Sequence, residues 1–274
     1  MTITGPNNFS SLSAYAKAVV RFGDARRCLA FGDSWFQYPP RAIDLEKRIA
    51  KAFRGTLFLD EAVAGRDSTK WKIGLPRIEH EIAAFGFDAI LLSIGGNDIV
   101  GKKLGDYLKT RESPQPEPVE SRSDVPDGVF DHVRIGPLER ALDVVVADLA
   151  EIVRYRDASS PDSIVFAHTY DYIWPDGAPF RLGPVVVGPW AKPALDAVGL
   201  LDPEAQRIVT GWLLDRFADA LHAFASANAN VRIIDSRGTL TSKSQWDNEI
   251  HPTAAGFARI ARECWIPALS DLLE

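Results

Sequence analysis

Four short blocks of the chain hold residue types that suit one chemistry. Gly32-Asp33-Ser34-Trp35 places a serine hydroxyl just after a glycine that permits a tight turn. Ala64-Gly65-Arg66-Asp67 supplies a glycine backbone N–H, and Gly95-Gly96-Asn97-Asp98 supplies close backbone approach and an amide side chain. Asp247-Asn248-Glu249-Ile250-His251-Pro252 supplies an imidazole. A nucleophile, a base that removes its proton and N–H donors for an oxyanion are the parts that acyl transfer requires. Taken singly each block is weak, because a serine after a strand also caps helices and a glycine also makes turns.

The elements that would bring these blocks together are visible in the hydrophobic pattern. Cys28–Gly32, Leu57–Val63, Ala89–Ile94, Ser163–Ala167 and Val231–Asp235 are short, almost continuous apolar runs, as strands covered on both faces require. Amphipathic helical patterns lie between them. Leu138 to Val153 is the clearest, Val209 to Phe224 is a second, and Thr253 to Cys264 a third. Strand–helix alternation predicts a parallel sheet between helix layers with right-handed crossovers. In such a sheet ligands bind at the carboxyl ends of the strands, where the serine, glycine and amide blocks fall, while the histidine block follows the fifth run.

In this order the blocks GDSW (Gly32–Trp35), a lone Gly65, GGND (Gly95–Asp98) and His251-Pro252 resemble the SGNH branch of the GDSL esterases and lipases. The resemblance spans about Cys28 to Cys264. It implies an α/β fold of flavodoxin-like three-layer α/β/α type; the pattern of runs itself gives a five-stranded parallel sheet in one domain over residues 1–274, with loop excursions at about 101–136 and 169–202. The resemblance implies Ser34 as nucleophile and His251 as general base. The Ser34 N–H, the Gly65 N–H and the Asn97 side chain would receive the oxyanion. The implied reaction is hydrolysis of a small-molecule carboxylic ester without metal or organic cofactor. Acyl transfer to an alcohol would use the same residues.

One position departs from that family. Its usual aspartate, three residues before the histidine, is here Asn248, flanked by Asp247 and Glu249. An asparagine can accept a hydrogen bond from Nδ1–H but cannot offset imidazolium charge. Three arrangements follow: a Ser34–His251 dyad steadied by a carbonyl, a triad completed by Asp247 as the alternative acid, or a catalytically weakened protein that binds ligands on the same fold. The dyad is the favoured one. Glu249 is read as solvated loop charge.

Other residues invite functional readings that the sequence does not favour. Gly96–Lys103 approaches a phosphate-binding loop, but Lys103 stands where a magnesium-binding Ser or Thr is needed, so nucleotide binding through Lys102 is a distant third reading. Asp33, Asp98, His168 and His251 lack the spacing of a metal site. Asp33 and Asp98 are assigned to hydrogen bonds that brace loops, and His168 to a structural hydrogen bond. His80, His132 and His222 read as ordinary histidines. Trp35, Phe36 and Tyr38 divide between core and pocket wall. Arg66 and the aromatic residues of Thr169–Leu201 hint at a substrate with polar and flat features, the latter segment as a wall or lid.

Composition sets the outer bounds. The chain has 274 residues, 31 Lys+Arg and 37 Asp+Glu, for a net charge of −6. Mild acidity gives no footprint for nucleic-acid backbones. Part of the acidic excess falls in the proline-rich Arg111–Asp127 stretch, away from the blocks. Two distant cysteines, Cys28 and Cys264, exclude a disulfide framework and a cysteine-based zinc site. No apolar run is long enough for a membrane span, and the amino terminus lacks a secretory pattern, so a cytoplasmic location is expected.

Overall fold

A computed structural model describes residue 3 and residues 5–38, 44–116 and 125–274. Eight strands occur among them: β1 (Asn8–Phe9), β2 (Arg26–Gly32), β3 (Thr56–Asp60), β4 (Ala89–Ser93), β5 (Ile164–His168), β6 (Phe180–Leu182), β7 (Val185–Val187) and β8 (Val231–Ile234). The helices are α1 (Leu12–Arg21), α2 (Leu45–Ala52), α3 (Ser68–Phe85), α4 (Gly96–Ile99), α5 (Asp127–His132), α6 (Ile135–Ser159), α7 (Lys192–Ala197), α8 (Pro203–Ala227), α9 (Ala254–Ile260) and α10 (Ile266–Leu273).

The main sheet is parallel throughout, in the order β1-β3-β2-β4-β5-β8. Its five longer strands are the five apolar runs. Residues Leu29, Leu59, Leu91 and Phe166 on four of them have no exposure, because helices cover both faces. The α3–α6–α8 layer packs on one side, and α2 packs with α9 on the other.

Two features depart from the five-stranded expectation. A sixth, two-residue strand, β1, extends the sheet beside β3. Its run is too short to carry a periodic signal, and it is fastened by the Asn7 side chain, which donates to the carbonyls of Ala50, Phe53 and Thr56. The excursion after β5 is not plain loop either, since β6 and β7 form an antiparallel hairpin followed by α7. The earlier excursion likewise contains α5. Residues 117–124 of the Arg111–Asp127 stretch lie outside the described residues. No helix among the described residues is long and apolar enough to cross a membrane.

Without its added edge strand the sheet order is that of the flavodoxin-like fold, whose direction reverses between the first and third strands of the chain. Here that crevice opens between the carboxyl ends of β2 and β4. Ser34 follows one strand and Asn97 the other.

Candidate active site

Ser34 sits in the turn after β2. The carboxylate of Asp33 fixes that turn by accepting the Trp35 N–H at 3.0 Å and the Ser93 hydroxyl at 2.8 Å. Asn97 lies in the single turn of α4, which starts from Gly95 at φ +91°. A Cβ on Gly96 would meet the Tyr170 ring at 2.6 Å, so only glycine lets this turn approach the segment just after β5. Gly65, at φ +71°, forms the corner between β3 and α3.

His251 comes from a tight return of the chain. Trp246 bridges to Pro252, and the Asp247 N–H donates to the His251 carbonyl at 2.8 Å. Trp35 fastens this return from below by donating its indole N–H to the Ile250 carbonyl at 3.0 Å. The imidazole is thereby brought to 2.7 Å, through Nε2, from the Ser34 Oγ. Its Nδ1 lies 2.9 Å from Oδ1 of Asn248. That oxygen can only accept, so the proton sits on Nδ1 and Nε2 is free to accept from the serine hydroxyl.

Asp247 does not touch the imidazole. Its carboxylate accepts the Tyr38 hydroxyl at 2.6 Å, and Tyr38 in turn accepts Nδ2 of Asn248 at 2.9 Å. Burial lowers the His251 pKa from 6.5 to about 3, which keeps the ring neutral. The rings of Tyr38 and Trp190 flank it at 4.6 and 5.5 Å.

Ser34, Gly65 and Asn97 line the same cleft. Among the described residues, the backbone N–H groups of Ser34 and Gly65 meet no acceptor. Asn97 Nδ2 donates one hydrogen to the Arg66 carbonyl at 3.0 Å, and its other contact, to Asp33, is a long 3.4 Å. The cleft measures about 340 Å³. Ser34, Gly65, Asn97 and His251 line its floor, while Tyr38, Phe180, Val187, Trp190 and Ile250 give it an apolar wall. The hairpin β6–β7 therefore overhangs the serine.

Several residues take places that the sequence did not disclose. Glu249 is not solvated charge: it is fully buried, and its carboxylate accepts the N–H groups of Gly177, Trp190, Ala191 and Lys192 at 2.5–3.0 Å. It ties the segment that carries the hairpin to the residues beside His251. An acidic residue in a polar loop gives no sign of four backbone partners far away in sequence. Arg66 turns inward, with its guanidinium 4.1 Å from the Phe31 ring and bonded to the Glu61 carbonyl, and does not line the cleft.

Behind the serine lies a buried polar group of Asp33, Ser93, His168 and Tyr170. Tyr170 donates to Asp33 at 2.6 Å, and Ser93 uses its proton on Asp33, so His168 must donate from Nε2 to the Ser93 oxygen at 3.0 Å. Burial raises the Asp33 pKa to about 6 and lowers that of His168 to about 3. Asp98 accepts the Ser68 N–H and pairs with Lys103 at 2.5 Å, a bracing arrangement, while Lys102 lines the cleft. Among the described residues no group of His, Cys, Asp or Glu is placed to hold a metal ion.

Comparison with known proteins agrees with this arrangement of elements. A lipase from the goat rumen metagenome shares 12% identity over 87% of this chain and 95% of its own, with a TM-score of 0.51. An extracellular lipase from Streptomyces rimosus shares 17% identity over 90% of this chain and 100% of its own, with a TM-score of 0.52. An acetyl esterase solved with acetate shares 13% over 90% and 98%, with a TM-score of 0.51. At such identities the likeness is one of fold. No curated protein matches the chain. The family model of the GDSL-like lipase/acylhydrolases, however, matches residues 30–259, from the middle of β2 to α9. The chain belongs to the GDSL-like lipase/acylhydrolase family and is an esterase/lipase-type enzyme.

Proposed function

We propose that the protein hydrolyses carboxylic esters through an acyl-enzyme on Ser34. The Ser34 Oγ attacks the ester carbonyl as Nε2 of His251 takes its proton. The carbonyl oxygen, now an oxyanion, is received by the N–H groups of Ser34 and Gly65 and by Asn97. His251 returns the proton to the departing alcohol, and the sequence repeats with water to release the acid. Asn248 holds the imidazole in the tautomer this requires.

The observation that carries this reading is the 2.7 Å approach of His251 Nε2 to Ser34 Oγ on the floor of an accessible cleft. The apolar wall of Phe180, Val187 and Trp190 favours an ester with at least one bulky apolar or flat portion. Covalent labelling by a fluorophosphonate, read by mass spectrometry, tests the nucleophile. Labelling is expected on Ser34 and lost in Ser34→Ala, together with activity on short-chain nitrophenyl esters. Full activity in Ser34→Ala would overturn the reading.

A further inference from the structure

The geometry points to Tyr38 and Asp247 as positioning residues that supply, through Asn248, the negative charge which the asparagine itself lacks. This rests on the role proposed for His251.

An unbroken chain of hydrogen bonds joins the four residues. The Asp247 carboxylate accepts the Tyr38 O–H at 2.6 Å, and the Tyr38 oxygen accepts the Asn248 Nδ2–H at 2.9 Å. The Asn248 Oδ1 then accepts the His251 Nδ1–H at 2.9 Å. Every donor points toward Asp247. Hydrogen bonds in series polarise one another, so a carboxylate at the far end makes each oxygen along the chain a better acceptor. When His251 gains a proton from Ser34, the positive charge on the imidazolium meets an amide oxygen already enriched in this way.

The same chain settles which way the Asn248 amide faces. Its oxygen receives three N–H groups, those of Ile250 and His251 at 3.2 and 3.0 Å and the imidazole. Its nitrogen has the Tyr38 oxygen, with Asp247 Oδ2 farther off at 3.5 Å. Reversing the amide would set its NH₂ against three donors. The aspartate expected at position 248 would orient the ring and offset its charge with one group. Here the two duties are divided: Asn248 orients, and Asp247, partly in solvent and one phenol away, carries the charge. Solvent contact spares Asp247 the desolvation that a buried carboxylate bears.

Steady-state kinetics on a nitrophenyl ester tests this with Tyr38→Phe, Asp247→Asn, Asn248→Asp and the double variant Asp247→Asn/Asn248→Asp. Each of the first two is expected to lower kcat about tenfold, the scale of one charge-assisted hydrogen bond, with KM within about twofold. In the Asn248→Asp background the relay is bypassed, because the introduced carboxylate accepts the Nδ1–H and offsets the imidazolium directly. Asp247→Asn is then expected to leave kcat within about twofold. A loss of kcat from Asp247→Asn of equal size in both backgrounds would overturn the inference, as would unchanged kcat in both single variants. Retained activity in Ser34→Ala would instead overturn the proposed function, and the two failures are therefore distinct.

Discussion

Oδ1 of Asn248 lies 2.9 Å from Nδ1 of His251, at the position where the family usually presents a carboxylate. An amide oxygen in this place fixes the tautomer, and the buried ring stays neutral with its pKa lowered to about 3. In the proposed role of base, a ring that is neutral far below pH 6.5 loses no activity by protonation in the mildly acidic range. The acid limb of kcat/KM, which reports the free enzyme, is therefore expected well below the ordinary imidazole value of 6.5. Asn248→Asp stabilises the imidazolium and is expected to move that limb upward by about one unit or more. Asn248→Ala removes the orienting acceptor and is expected to cut kcat by about 10³–10⁴. A pH–rate profile on a nitrophenyl ester checks all three; an acid limb near 6.5 in the unaltered enzyme would contradict the first.

Asn97 presents a separable test, because it touches neither Ser34 nor His251 by hydrogen bond. One of its amide hydrogens is engaged by the Arg66 carbonyl at 3.0 Å, which aims the side chain, and the other has only a long 3.4 Å contact to Asp33. Asn97→Ala is expected to lower kcat about 10²–10³-fold with little change in KM, since the oxyanion exists only in the transition state. Fluorophosphonate labelling of Ser34 in this variant should slow but persist. A change confined to KM would place Asn97 in ground-state binding instead.

The parts of this arrangement that were legible in the sequence are those with a local or periodic cause. The five central strands announce themselves because both faces are covered, and Ser34, Gly65 and Asn97 follow three of them directly. What could not be read is long-range pairing. Tyr38 and Asn248 are 210 positions apart, and no pattern around either signals the 2.9 Å bond between them. Glu249 looks like loop charge because its partners are backbone N–H groups, which every sequence has everywhere. The strand β1 escapes because two residues carry no period, and β6–β7 because its short runs lie among glycines and prolines that suggest only turns.

Glu249 offers the sharpest contrast between sequence and structure, and its substitution has a definite consequence. Its carboxylate is buried and receives four backbone N–H groups at 2.5–3.0 Å. Glu249→Ala leaves all four without their acceptor and is expected to cost about 3–5 kcal/mol of stability in urea unfolding. Glu249→Gln does little better, because its NH₂ would face donors. Trp190 is held by this carboxylate and packs edge-on against His251, so KM should rise as the wall loosens. Limited proteolysis should cut first between residues 174 and 192. Stability equal to that of the unaltered protein would refute the anchoring role.

His168 gives a test of the buried polar group behind the serine that is independent of catalysis. Its folded pKa is lowered to about 3, whereas an unfolded imidazole titrates near 6.5. Between those values the unfolded chain binds a proton that the folded chain refuses. The contribution of His168 is thus complete above pH 6.5 and declines on acidification by about 1.4 kcal/mol per pH unit. His168→Gln retains an N–H for the Ser93 oxygen but does not titrate. It also gives up the stacking of the imidazole on Phe36, so at pH 7 it is expected to be about 1–2 kcal/mol less stable. That deficit should shrink as pH falls below 6.5 and reverse near pH 5, because only the unaltered protein has a neutral imidazole to defend. Asp33, whose pKa is raised to about 6, contributes in the opposite direction, but it is present in both proteins and largely cancels in the difference. Urea midpoints measured for the pair between pH 7.5 and 4.5 decide the matter. Two curves that stay parallel would mean that His168 is protonated in the fold, in conflict with a ring that has no exposure and donates from Nε2 to a serine already committed to Asp33.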